Sequence, residues 1–283
     1  MALTLRYVVA DVFTDTPLAG NQLAVFTDGR EVDDETMQTL AREMNLSETV
    51  FVLPAEAGGH ARIRIFTPVA ELPFAGHPTL GSAFVLGQPL QLTEIRLETG
   101  AGIVPVQLER EGPRITFGWM TQPLPHWRPY ERADEILRIL GVESELPVDW
   151  YDLGPSFVYV GLRTADEVAA LRPDFNALLA FESGILCFAP IEGNRWKARM
   201  FAPSSGVFED PATGSAAGPL GVHLLRHGRI DSGAEIEIEQ GVELKRASRL
   251  HVCATGTAAE IERVEVGGNA VVVARGEFRL PLT

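Results

Sequence analysis

The chain has 283 residues, of which 46% are hydrophobic and 22% charged, an ordinary globular balance at a length that suits two domains better than one. Its 38 acidic against 24 basic side chains give a net charge of −14, which opposes phosphate backbones and anionic membrane surfaces, so neither nucleic acid nor membrane is expected as a partner. No apolar run reaches the roughly 20 residues that span a bilayer, and Met1–Val8 lacks a signal peptide's charged start and long apolar stretch, which makes the cytoplasm the expected compartment.

In chain order, Arg6–Val12 and Leu23–Phe26 read as strands, and Asp33–Met44 as an amphipathic helix with Met37, Leu40, Ala41 and Met44 on one face. Strands at Thr49–Leu53 and Ala61–Thr67 follow. A second helix starts at the His77-Pro78 step and runs through Leu86; its small and apolar composition predicts burial on every side. Strands then come at Glu94–Thr99, Ile103–Arg110 and Arg114–Trp119. After the proline-rich stretch Gln122–Pro129 the order recurs: a helix at Ala133–Leu140, strands near Phe157–Gly161, Leu186–Ala189 and Trp196–Phe201, and a buried helix from Pro211 through Leu224. Strands at Glu235–Glu239, Leu250–Thr255, Glu260–Val266 and Ala270–Arg275 close the chain.

That recurrence has a sequence counterpart. His77-Pro78-x-x-Gly81-Ser82-Ala83 lies over Asp210-Pro211-x-x-Gly214-Ser215-Ala216 at an offset of 133 residues, Phe66 and Pro68 over Phe201 and Pro203 at 135, and Gly20–Phe26 over Gly154–Val160 at 134. Three segments in one order at nearly one spacing indicate a duplication. The expected architecture is α+β, with two similar domains, residues 1–127 and 128–283, each a curved, barrel-like, mostly antiparallel sheet around a central helix. The last strand is free to cross back to the first domain.

Cys187 and Cys253 sit in apolar, strand-like segments and read as buried and reduced. His223 and His227 stand four apart on a helix but without an HExxH pattern, so no metal is expected. The chemistry concentrates elsewhere. Asp210 before Pro211 reads either as a simple helix cap or as a site residue, and its repeat partner His77 is not a preferred cap. If the two helix starts face each other, their backbone N–H groups can grip an anionic substrate that the net charge would otherwise repel, with His77 and Asp210 as proton relays. Gly76, Gly81 and Gly214 allow close approach of a ligand, or of packing neighbours. Ser215 is a hydroxyl donor candidate; Ser82, its counterpart, is either that or bonded to its own helix. Glu48 imitates a capping box with Asn45, yet the β-branched and aromatic residues after it argue for a strand, with Glu48 on the face of Val50 and Val52. A carboxyl group on an apolar face is suited to accept and return a proton.

The segments Asp11–Phe26 (DVFTDTPLAGNQLAVF), Arg42–Val52 (REMNLSETVFV), Arg64–Ala83, Arg199–Gly228 and Gln240–Glu243 (QGVE) resemble the phenazine-biosynthesis F-protein family, whose fold is shared with diaminopimelate epimerase. The resemblance implies that Glu48 is the acid/base and that His77, Asp210 and Ser215 line the substrate pocket. It implies isomerisation of trans-2,3-dihydro-3-hydroxyanthranilate, a hydrogen moving from C3 to C1 of the ring before an enol becomes a ketone, without nicotinamide, flavin or metal. It further implies a homodimer and a place in phenazine, hence antibiotic, biosynthesis. The related epimerases carry a cysteine at the start of each central helix; Phe74–Pro78 and Pro211–Ser215 contain none, which disfavours a two-thiol racemase. Two other readings stand beside this one: an isomerase or epimerase of another small amino- or hydroxy-acid using Glu48, and a small-anion binding protein without catalysis.

Overall fold

The computed structural model describes residues 2–281, which form two compact units: one contains the chain up to Thr121 together with the residues from Gly267 onward, the other is Gln122–Val266. The first unit runs β1 (Ala2–Val12), β2 (Asn21–Phe26), α1 (Asp34–Met44), β3 (Glu48–Leu53), β4 (Ala61–Phe66), β5 (Glu71–Leu72), α2 (Gly76–Leu90), β6 (Glu94–Thr99), β7 (Gly102–Glu111) and β8 (Arg114–Thr121). Next come β9 (His126–Pro129), α3 (Ala133–Leu140), β10 (Asp149–Asp152), β11 (Ser156–Gly161), α4 (Ala165–Ala170), α5 (Phe175–Leu178), β12 (Gly184–Pro190), β13 (Arg195–Ala202) and β14 (Val207–Asp210). Then follow α6 (Gly214–Arg226), β15 (Glu235–Gln240), β16 (Ser248–Gly256), β17 (Ile261–Gly268) and β18 (Ala270–Pro281).

The duplication is visible as identical strand topology. In the first unit β1 pairs antiparallel with β2, β2 parallel with β3, β3 antiparallel with β4, β4 antiparallel with the short β5 and parallel with β6, and β6 antiparallel with β7. In the second, β10, β11, β12, β13, the short β14, β15 and β16 repeat that series with every direction preserved. Each series gains one strand outside its first member: β18 lies antiparallel to β1, and β9 antiparallel to β10. That β9 pairing explains why the units divide ahead of the 127/128 boundary read from the sequence: the proline-rich stretch contains an edge strand of the second sheet, where proline is tolerated.

Each sheet curls, without closing, around one helix; in the first unit α2 touches β1, β2, β3, β6, β7, β8 and β18. As its composition predicts, α2 is buried from Gly76 through Phe84. A Cβ on Gly81 would lie 2.6 Å from Leu23 Cδ2 and 2.7 Å from Val12 Cγ2, so this glycine serves the approach of α2 to β1 and β2. On the opposite face α1, capped by the Asp33 carboxylate on the Thr36 N–H, lays Met37, Leu40 and Ala41 over Phe26, Phe51 and Phe66. Strand alternation therefore turns Phe51 toward α1 and sends Glu48, Val50 and Val52 to the α2 side.

Two expectations change. The second central helix begins at Gly214, not Pro211, because residues 210–213 are fixed in a hydrogen-bonded turn described below. Cys187 is buried, and burial pushes its thiol up to about 12, but Cys253 is only half-buried: between the inward Val252 and Ala254, alternation turns it to the outer face of β16. No helix among the described residues is long and apolar enough to cross a membrane.

Candidate active site

The first unit holds Glu48 and His77. Glu48 opens β3, opposite Leu23 of β2, and β3 is an interior strand flanked by β2 and β4. Its side chain is 15% exposed, and its Oε2 lies 3.3 Å from His77 Nε2, in contact but without the alignment of a full hydrogen bond. His77, in the first turn of α2, is 3% exposed, and burial pushes its imidazole down to about 3, against a weaker upward effect of the backbone at Gln22. It is neutral at physiological pH. Its other ring nitrogen, Nδ1, lies 3.2 Å from Asn21 Nδ2.

Asn21, itself 1% exposed, is the first residue of β2 and follows Gly20, whose φ of +66° sits in the left-handed region. A Cβ on Gly20 would collide with the Val12 carbonyl and the Thr14 side chain, so the turn that sets Asn21 against His77 requires glycine. Gly76 is the first residue of α2. Ser82 lies in that helix at 0% exposure, and its hydroxyl has no hydrogen-bond partner among the described residues; it is enclosed in the helix packing and not bonded back to its own helix.

The second unit holds Asp210, Gly214 and Ser215. Asp210 ends β14 at 5% exposure and is not the cap of α6. The Thr213 hydroxyl donates to Asp210 Oδ2 (2.6 Å), while Gln240 Nε2 donates both to that hydroxyl oxygen (3.0 Å) and to the Asp210 carbonyl (2.8 Å). The Thr213 N–H returns to Gln240 Oε1 (3.3 Å). The Thr213 hydroxyl thus donates to the Asp210 carboxyl group while it accepts from Gln240. Gly214 and Ser215, both buried, begin α6, where N–H groups have no acceptor within the helix and the dipole favours negative charge. Gln122 Nε2 on the Gly214 carbonyl (2.8 Å) and Tyr159 Oη on the Ala216 carbonyl (2.7 Å) anchor that first turn.

Sequence reasoning overlooked Asn21, Thr213 and Gln240. Gln240 was legible only as part of the QGVE segment, and Asn21 as part of Asp11–Phe26. The His223 and His227 pair, four apart at the end of α6, is joined by Asp149 of β10 in one cluster that the sequence did not indicate. There Arg226 Nη1 and His227 Nε2 both lie 2.9 Å from Asp149 Oδ2, so the carboxylate is already balanced by a fixed guanidinium. His223 Nδ1 adds a 3.2 Å contact to Tyr151 Oη, and burial, then electrostatic interaction with His227 and Arg226, hold its imidazole well below the usual range.

A duplicated curled sheet around a central helix, with a buried carboxyl–imidazole pair in one copy and a carboxylate beside a helix start in the other, defines an isomerase of the epimerase-like fold. Residues 10–276 match the family described as phenazine biosynthesis-like protein, and the chain belongs to that family. It is 49% identical over 277 residues, 97% of this chain and 99% of the relative, to a trans-2,3-dihydro-3-hydroxyanthranilate isomerase of Pseudomonas fluorescens; the Pseudomonas aeruginosa protein of the same name matches with the same identity and coverage. Among solved structures, a phenazine biosynthesis protein of Bacillus anthracis superposes with a TM-score of 0.85 at 26% identity, covering 99% of this chain and 100% of that one.

Proposed function

We propose that this isomerase acts on trans-2,3-dihydro-3-hydroxyanthranilate, with Glu48 as the single acid/base. The Glu48 carboxylate takes the proton from C3 of the ring, the double-bond electrons shift, and the same carboxyl group returns a proton to C1; the enol so formed becomes the ketone. Nothing is oxidised and no atom is lost, so the reading requires no redox carrier. The observation that carries it is the 3.3 Å contact between Glu48 and the neutral, buried His77 on an interior strand, a water-poor setting in which a carboxyl group can exchange a proton with carbon.

Within the second unit, the Asp210 carboxyl group, the Ser215 hydroxyl and the first-turn N–H groups of Gly214 and Ser215 are suited to polar and anionic groups of a small molecule. The names of the close relatives support the choice of substrate. The test is incubation with trans-2,3-dihydro-3-hydroxyanthranilate in D2O, following consumption and deuterium at C1. Wild type should turn over and Glu48→Gln should lose at least about 10²-fold in kcat, the lower range for general acid/base catalysis. Tight binding without turnover by the wild type would refute the reading in favour of a binding protein.

A further inference from the structure

We propose that the first unit carries a second small-molecule site, for a carboxylate with an apolar body, in a groove at the end of α2 remote from His77. The groove holds about 600 Å³, within the roughly 300–1,000 Å³ of small-molecule sites. Its floor is apolar, made by the buried Val8, Phe84 and Ile115, with Val85 of α2 beside them. At 1.5 Å of rise per residue, Val85 stands roughly 12 Å along α2 from His77, and no residue that lines the groove is one assigned to the proton transfer.

Charge selects the occupant. Arg114 and Arg275 line the groove, no aspartate or glutamate does, and neither guanidinium joins an ion pair among the described residues. In a protein of net charge −14 that is a local reversal of sign, able to draw in a carboxylate that most of the surface repels. The backbone sets both arginines in place. Gln88 donates to the Pro113 carbonyl (2.6 Å) and accepts from the Ile115 N–H (3.0 Å), which clasps the chain on either side of Arg114. The β1–β18 register slips between Val9 and Ala10, where Val9 faces Ala274 but Ala10 faces Val272. That bulge breaks the alternation of β18, so Val272 and Arg275, which a regular strand would send to opposite faces, line the same groove. An apolar body laid on the floor, with its carboxylate paired to a guanidinium, uses both halves of this surface.

Titration with 2-naphthoate, followed by its own fluorescence, reads the site, and 2-naphthol serves as the uncharged control. Naphthoate should bind saturably and at least about 10-fold more tightly than naphthol, with Arg114→Gln/Arg275→Gln weakening it by about 10-fold or more through loss of the charge-assisted hydrogen bonds. Val272→Asp, which sets a carboxylate in the groove, should weaken it as well. Both arginines and Val272 are exposed, so the variants should unfold at the wild-type temperature. Absence of saturable naphthoate binding, or affinity unchanged in the arginine variant, overturns the proposal; so does sedimentation showing a dimer that Val272→Asp splits, since a second copy would then cover the groove. None of these readings depends on turnover of the dihydroanthranilate.

Discussion

Burial of His77 as a neutral ring makes stability depend on pH in a way that one substitution isolates. Its ordinary value of 6.5 in the unfolded chain falls to about 3 in the fold. Between those two values the unfolded state binds a proton that the native state refuses, so stability rises with pH across the window and is lost on acidification. Near pH 4.5 the unfolded ring is almost fully protonated and the native ring almost fully neutral; at about 1.4 kcal/mol per pH unit over about two units, His77 removes roughly 3 kcal/mol relative to pH 8. His77→Gln keeps a polar side chain at the site and does not titrate. Urea unfolding of both proteins at about pH 8 and about pH 4.5 should show the wild type losing roughly 3 kcal/mol more than the variant, with other acid-sensitive groups, the buried His223 among them, cancelling in the comparison. Parallel losses in the two proteins would mean that His77 is protonated in the fold, and the reading of a neutral imidazole beside Glu48 would fall.

Two further substitutions test the packing beneath the site. Gly81→Ala forces a Cβ against Leu23 and Val12 at 2.6 and 2.7 Å, and should cost about 1–3 kcal/mol of stability in thermal or urea unfolding; a neutral result would mean that α2 is free to shift away from β1 and β2. Gln240→Leu leaves the Thr213 N–H and the Asp210 carbonyl without this partner and should destabilise by roughly 2–6 kcal/mol, at about 1–3 kcal/mol for each lost bond, while lowering kcat/KM through the loosened Asp210 turn; unchanged kinetics would detach that turn from catalysis.

The repeat and its two buried helices were legible because their signals are local. The helix-start segments carry glycine, proline and small residues in long runs, and the starts of the strands ahead of them, β2 to β4 against β11 to β13, keep a spacing of 134 to 136 residues. Alternation put Glu48 on the face of Val50 and Val52, but β3 is buried on both faces, so its pattern did not say which face meets α2. The Asp-Pro step misled because it has the chemistry of a helix start, whereas tertiary bonds from Gln240 hold it in a turn three residues ahead of the helix. Asn21, Thr213 and Gln240 escaped for the same reason: Asn21 meets His77 across 56 residues and Gln240 meets Asp210 across 30, and no periodicity reports such pairs. The strands β5, β9, β10 and β14, of two to four residues, are too short to show a period.

The repeat is also unequal where it matters. Leu23 faces Glu48 across the parallel pair β2–β3, and Phe157 faces Gly184 across the matching pair β11–β12, so only one copy carries a carboxyl group at this position. On the proposed acid/base reading of Glu48, that asymmetry leaves one proton carrier at this position, not a mirrored pair.

The pairing of β1 with β18 ties the order of synthesis to the order of assembly. Val12 lies opposite Ala270 and Ala2 opposite Pro281, so β1 is paired with a strand made after the whole second unit. On a ribosome, the second unit, residues 122–266, is complete while β1 still has one bare edge, the kind of edge that invites pairing with other chains. The half of the molecule that bears Glu48 and His77 therefore receives its β18 edge only after the second unit has been made.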